Sequence, residues 1–169
     1  DRTLLDWPDD VVAIANFLRI KKFTVLGVSG GGPYAAVCAY KIPHRLIRIG
    51  IVVGLAPTNV PGILDDLKFL VRLGWKNYDK QLVRNAGTLF YYINARYGPR
   101  LGLHRFFFGA KTDKQLYQNK IFRDEVAQST HEAFRQGYQG PLHDLKIYSD
   151  SWGFDLSEIR VKSFLWYGQ

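Results

Sequence analysis

The chain has no methionine and one cysteine among its 169 residues. A single thiol, Cys38, excludes an internal disulfide and suits a reducing compartment such as the cytoplasm. No pair of cysteines and no His/Cys cluster has zinc spacing, and His44, His104, His131 and His143 are far apart in sequence. No run of about 18 uncharged apolar residues occurs, so the sequence offers no membrane-spanning helix. Internal repeats and low-complexity tracts are also missing. Acids are sparse, 15 Asp and Glu against 23 Lys and Arg, which leaves a formal charge of +8. What remains, 47% apolar and 22% charged, is ordinary for one globular domain.

The charge is uneven. Between Pro61 and Thr112 there are nine basic residues against Asp65, Asp66 and Asp79. Basic surfaces attract anionic partners, but an excess alone selects none and a solvated face is the ordinary reading. No nucleic-acid partner is assigned on this basis. The chain opens at Asp1, in the lead-in to a helix, and Phe164 to Gln169 read as a strand and its exit. The expectation is a piece of a longer protein, cut at both ends.

Asp6 to Ile20 reads as a helix. Asp6 suits the N-cap, Pro8 the first turn, and Asp9 and Asp10 the positive end of the dipole. Trp7, Val11, Ile14 and Leu18 predict one buried stripe. Phe23 to Gly27 is a short apolar and β-branched run, the pattern of a buried parallel strand. A second helix follows from about Gly32 to Tyr40, stopped by Pro43, and Leu46 to Val53 is the next strand. Helix, strand, tight turn, helix, strand is the order of an α/β fold with a parallel sheet.

After a turn-rich joint from Pro57 to Gly62 the pattern becomes helical as far as Trp152. Leu82, Ala86, Leu89, Ile93 and Tyr97 form one stripe. Thr112 with Gln115 resembles a capping box. Phe122, Val126 and Ala133 share a face that ends near Gly137, and Pro141 opens a short helix with Leu142 and Leu145. Strand character returns from Val161 to Tyr167. About 90 residues between two strands exceed an ordinary crossover, so an inserted helical cap is predicted. The organisation is core over residues 1–60, cap over 61–155, and return to the core over 156–169.

Gly27-Val28-Ser29-Gly30-Gly31 matches G-x-S-x-G and lies between a predicted strand and a predicted helix, the context that motif demands. The serine must stand at the tip of a sharp turn, in a strained backbone that pushes its hydroxyl clear of the sheet. Gly27 and Gly31 are read as the elbow glycines that remove side-chain collisions across the turn. Gly30 is read as an oxyanion-hole donor through its amide, aided by the helix dipole behind it. The bland alternative is glycine for close helix–sheet packing. A dinucleotide loop fits worse, because Ser29 occupies the second glycine position and Ile47 to Val53 hold no ribose-binding acid. A phosphate loop needs Lys-Ser/Thr where Pro33-Tyr34 stand.

These residues resemble the α/β-hydrolase fold superfamily. The resemblance runs through Asp6 to Asp10 and Phe23 to Ala35, and is greatest to microbial serine hydrolases with a helical cap. Glu132 to Gly137, with Gly140, Asp144 and Trp152-Gly153-Phe154, resemble the end of such a cap, and Phe164 to Gly168 the strand whose exit holds the catalytic acid. The resemblance implies a three-layer parallel sheet with an inserted cap and a Ser–Asp–His triad in that chain order. Ser29 is the implied nucleophile, with the acid and histidine expected beyond Gln169 and a second oxyanion donor before Asp1. Neither metal nor organic cofactor is required.

Members of that superfamily often end the first helix with glycine, where this chain has Arg19. The implied activity is hydrolysis of an ester or related acyl bond by the parent protein, the isolated 169 residues being inactive. The same elbow also serves carbon–carbon bond hydrolases, aminopeptidases, haloperoxidases and non-catalytic binding modules. Asp144 and Asp155 are read as capping or structural acids, the visible histidines as surface or capping residues, and Cys38 as a small side chain facing the sheet. Cap aromatics such as Phe69, Trp75, Tyr92 and Phe106 are read mainly as the cap's own core, the rest being suited to an apolar acyl substrate. Together with the basic excess they also admit a membrane-surface or lipid-like substrate without selecting one.

Overall fold

The computed structural model describes residues 2–65, 67, 69–78, 80–101, 115, 116 and 118–168, with the side chains at 70, 71, 91 and 94–101 outside the description. The elements run α1 (Trp7–Phe17), β1 (Phe23–Val28), α2 (Gly31–Lys41), β2 (Leu46–Val52), α3 (Phe69–Lys76), α4 (Gln81–Leu101), α5 (Lys120–Ala133), α6 (Gln139–Ser149) and β3 (Ser163–Trp166). One-turn 3-10 helices occupy Leu4–Asp6, Pro43–Arg45 and Leu156–Glu158. The protein is mixed α/β and divides into two compact units, Asp1–Lys76 with Ile147–Gln169, and Asn77–Lys146. No helix among the described residues is long and apolar enough to cross a membrane.

In the first unit the three strands are parallel in the order β1-β2-β3. Leu26, Gly50 and Phe164 form one row across the sheet, and Val28, Val52 and Trp166 the row two residues further along. A Cβ on Gly50 would stand 2.8 Å from Leu26 Cδ1 and 3.0 Å from Trp166 Cζ3, so both side chains lean over that position. On the opposite face α2 buries nearly its whole length, from Gly32 and Pro33 through Ala39. Cys38 and Ala39 pack with Ile42, Leu46 and Ile49, and Val11 and Val12 of α1 complete that core. Leu26 is 64% exposed and Trp166 50%, so helices cover one face of the sheet among the described residues. The third layer that the resemblance implies is not among them.

Helix α1 departs from its expected burial. Pro8 and Ala15 are the buried positions, while Trp7, Ile14 and Leu18 of the predicted stripe are exposed and only Val11 of it packs inward. The helix meets the core through its small side chains, a face that a search for large apolar residues overlooks. Asp6 also acts one turn earlier than expected. It makes no side-chain bond to the α1 amides; its carboxylate accepts from the Thr3 amide at 2.7 Å and the Thr3 hydroxyl at 2.8 Å. Those bonds, the amide first, hold the Asp6 carboxyl below its ordinary pKa.

The end of α1 is a Schellman motif. The amide of Ile20 donates to Ala15 O at 2.8 Å and that of Arg19 to Asn16 O at 3.0 Å, with Arg19 left-handed at φ +57°. The following loop is tied to the start of β2 by Arg45, which donates to Lys21 O and Ile20 O, both at 2.9 Å. Lys41 at the end of α2 reaches Leu5 O at 2.8 Å and Asp9 at 3.1 Å. A second buried cluster joins Leu4, Val37 and Trp152, with Tyr34, Ile147 and Phe154 against it. The buried Trp152 indole N–H has no partner among the described residues, which offsets part of what burying that ring contributes.

The second unit is helical. Helix α5 is capped by Asn119, whose Oδ1 accepts from the amides of Ile121 at 2.9 Å and Phe122 at 3.4 Å. The Tyr92 ring of α4 meets Phe134 at 5.8 Å and Tyr138 at 6.1 Å. The apolar stripe of α4 is not its buried face. Leu82 is 81% exposed, and Leu89 and Ile93 are exposed too, while the buried position is Thr88, whose hydroxyl donates to Arg84 O at 2.9 Å. The inward face is thus set by Thr88 and Tyr92, about one residue round the helix from the apolar stripe. Thr112, His104 and Phe106 lie outside the described residues, as does the Tyr97 side chain.

Candidate active site

The turn between β1 and α2 occupies two residues, Ser29 and Gly30. Ser29 has φ +52°, a left-handed conformation that a side chain enters only at a cost. Three backbone bonds hold it there. Its amide donates to Val52 O at 2.9 Å, extending the β1–β2 ladder one residue past the strand. Its carbonyl accepts from Gly32 N at 3.0 Å and Leu55 N at 3.2 Å. The side chain is exposed, and the hydroxyl has no hydrogen-bond partner among the described residues.

Gly30 is the N-cap of α2, at φ −59° and ψ −15°. Its amide also has no partner among the described residues, as first-turn amides of a helix commonly lack one. An unengaged hydroxyl and an unengaged amide therefore stand on consecutive residues at the positive end of a helix. Groups of these two kinds are what an attacking oxygen and an oxyanion donor would supply.

The glycines around the turn have distinct reasons. A Cβ on Gly27 would overlap the Gly31 carbonyl oxygen and lie 2.7 Å from its carbon, so the turn closes only with glycine at 27. A Cβ on Gly31 would meet nothing within 4 Å. The close approach on that side belongs to Gly32, where a Cβ would sit 2.9 Å from Gly54 Cα. Gly30 faces Tyr148, whose Oη would be 2.5 Å from a Cβ at position 30.

The exit of β2 is a second strained point. Val53 has φ +44° and donates its amide to Trp166 O at 2.8 Å. The left-handed residues Ser29 and Val53 thus each directly follow the C-terminal end of a neighbouring parallel strand. That is the end of an open α/β sheet at which ligands bind.

Of the histidines, His44 is exposed in the 3-10 turn that leads into β2, at the end of the sheet away from Ser29. His131 and His143 belong to the second unit. Asp155 caps the turn Leu156–Glu158, accepting from Ser157 N at 2.8 Å, and that bond holds its carboxyl below the ordinary range. Cys38 is fully buried in the α2–β2 core, and burial pushes its thiol up to about 12. Among the described residues no group of three His, Cys, Asp or Glu is placed to hold a metal.

Three features of the site escaped the sequence reading. The Val53 turn had a weak sign in the Gly54 that follows it. The Gly32–Gly54 approach had one in the glycine-rich run. Tyr148 had none, because it lies more than a hundred positions from the elbow. No family model, curated protein or solved structure matches the chain.

Proposed function

We propose that this chain is the nucleophile-bearing part of a serine hydrolase of the α/β-hydrolase type, acting on an ester or related acyl bond. The observation that supports this best is Ser29 itself, left-handed and exposed between a strand and a helix, next to a Gly30 amide with no partner among the described residues. A residue held in that conformation by three backbone bonds is a prepaid strain, of the kind found at nucleophile elbows. In this reading the sheet belongs to a three-layer core, residues 61–155 form an inserted cap, and the protein works in the cytoplasm on an apolar acyl substrate.

Ser29 Oγ forms a bond to the substrate carbonyl carbon while a histidine takes its proton, and the carbonyl oxygen collects negative charge beside the Gly30 amide. Collapse of that intermediate breaks the bond to the leaving group, which departs with the proton from the histidine. Water then repeats the sequence and frees the acid. The histidine and the acid that orients it are expected beyond Gln169.

Labelling of the full-length protein with a fluorophosphonate tests the reading. The expected result is one modified residue, Ser29, and no labelling in Ser29→Ala. A folded protein that takes up no reagent, or takes it up equally in Ser29→Ala, overturns it.

A further inference from the structure

We propose that Tyr148 is a specificity-determining residue of the Ser29 site, closing the side of the nucleophile next to Gly30 so that the site accepts esters of short acyl groups. The inference rests on the hydrolase reading above. Gly30 has ordinary helical dihedrals, so its backbone does not call for glycine. Space does. A Cβ there would lie 2.5 Å from Tyr148 Oη, 3.0 Å from Cζ and 3.3 Å from Cε2. The phenol therefore rests directly against the residue whose amide would hold the oxyanion.

The phenol is also braced. Tyr148 is half-buried, and its ring stands edge-on to Tyr34 with centroids 6.1 Å apart and planes at 75°. Tyr34, in the first turn of α2, packs in turn on Trp7 at 5.0 Å. Three aromatic rings thus line the start of the elbow helix, and the outermost ends at Gly30. A carbonyl carbon bound to Ser29 Oγ with its oxygen at the Gly30 amide carries its acyl group within a few bond lengths of that phenol. An aromatic side chain at this distance rejects added methylenes by steric exclusion.

The test is the ratio of kcat/KM for p-nitrophenyl octanoate to that for p-nitrophenyl acetate in the full-length protein. The wild type favours acetate. Tyr148→Ala raises the octanoate-to-acetate ratio by about tenfold or more, the scale set by a few methylenes in a pocket. Tyr148→Leu raises it by less and serves if the alanine variant does not fold. Tyr148→Phe keeps the ring and the wild-type ratio. An unchanged ratio in a folded Tyr148→Ala or Tyr148→Leu that still labels at Ser29 overturns the inference alone, as does a wild type that prefers octanoate. Loss of turnover in Tyr148→Phe with labelling intact assigns the hydroxyl to the chemistry and overturns the specificity role. Absence of fluorophosphonate labelling in the wild type removes the hydrolase reading, and the inference with it.

Discussion

The amide of Leu55 donates to the carbonyl oxygen of Ser29 at 3.2 Å, tying the exit of β2 to the turn that leaves β1. The bond makes the elbow a property of two strands rather than one. Ser29 cannot relax from its left-handed conformation without also releasing the Gly54 turn that packs on Gly32. Local strain persists where neighbours over-determine it, and here two chain segments do so.

The two elbow glycines should respond differently to alanine. At Gly27 the new Cβ would meet the Gly31 carbonyl, which is backbone and cannot step aside. Gly27→Ala is expected to cost about 1–3 kcal/mol, the range for overpacking a fitted site. At Gly31, the first residue of α2, the new methyl enters open space, and alanine is expected to be neutral or to stabilise by up to about 0.5 kcal/mol, less than in a helix interior. Urea unfolding of both variants checks this. Equal destabilisation at the two positions would contradict the crowding described here.

Arg19 offers a stabilising change. It occupies the C′ position of the Schellman motif at φ +57°, where glycine avoids the Cβ penalty. Arg19→Gly is expected to raise stability by about 0.5–1 kcal/mol after the added freedom of the unfolded chain is set against it. Arg19→Ala keeps the Cβ and should not share the gain. A thermal melt of the pair separates the backbone effect from loss of the charge.

Much of this was legible in the sequence, and the parts that were not have a common physical cause. Strand, turn and helix around Ser29 follow from local signals, an apolar β-branched run, a glycine-rich turn and an alanine-rich segment, all within twenty residues. The inward face of α1 was misjudged, and that of α4 is not marked by its apolar stripe, because periodicity counts large apolar residues. These helices instead turn Ala15 and Thr88 inward and leave Ile14 and Leu82 exposed. Tertiary contact, not propensity, chooses such faces. Tyr148 was invisible for the same reason. Its place beside Gly30 depends on how distant segments pack, and no local pattern encodes that.

Cys38 gives stability a pH dependence. Burial pushes its thiol up to about 12, whereas an unfolded thiol titrates at about 8.5. Below about pH 8.5 both states keep the proton and the packed thiol contributes fully. As pH rises further the unfolded chain releases its proton first, so that contribution falls away up to the folded value. Cys38→Ala has no such group. The stability gap between wild type and Cys38→Ala should therefore narrow by about 1–2 kcal/mol between pH 8 and pH 10. Urea unfolding at the two pH values measures it. A constant gap would mean that the folded thiol titrates near its ordinary value.

Val53 poses stability against function. A β-branched residue at φ +44° is strained, and the strain is of order 1–3 kcal/mol. Glycine removes it, so Val53→Gly is expected to raise the melting temperature even after the extra freedom it gives the unfolded chain. The same change frees the turn through which Leu55 N holds Ser29 O, and glycine no longer fixes that loop in one conformation. On the hydrolase reading, Ser29 then spends less time in its reactive geometry. The full-length Val53→Gly protein should label with fluorophosphonate more slowly than wild type, by roughly three- to tenfold, the scale of one lost geometric restraint. A lower melting temperature would show that Val53 is not strained as argued, and labelling at the wild-type rate would show that the β2 exit and the elbow are held independently.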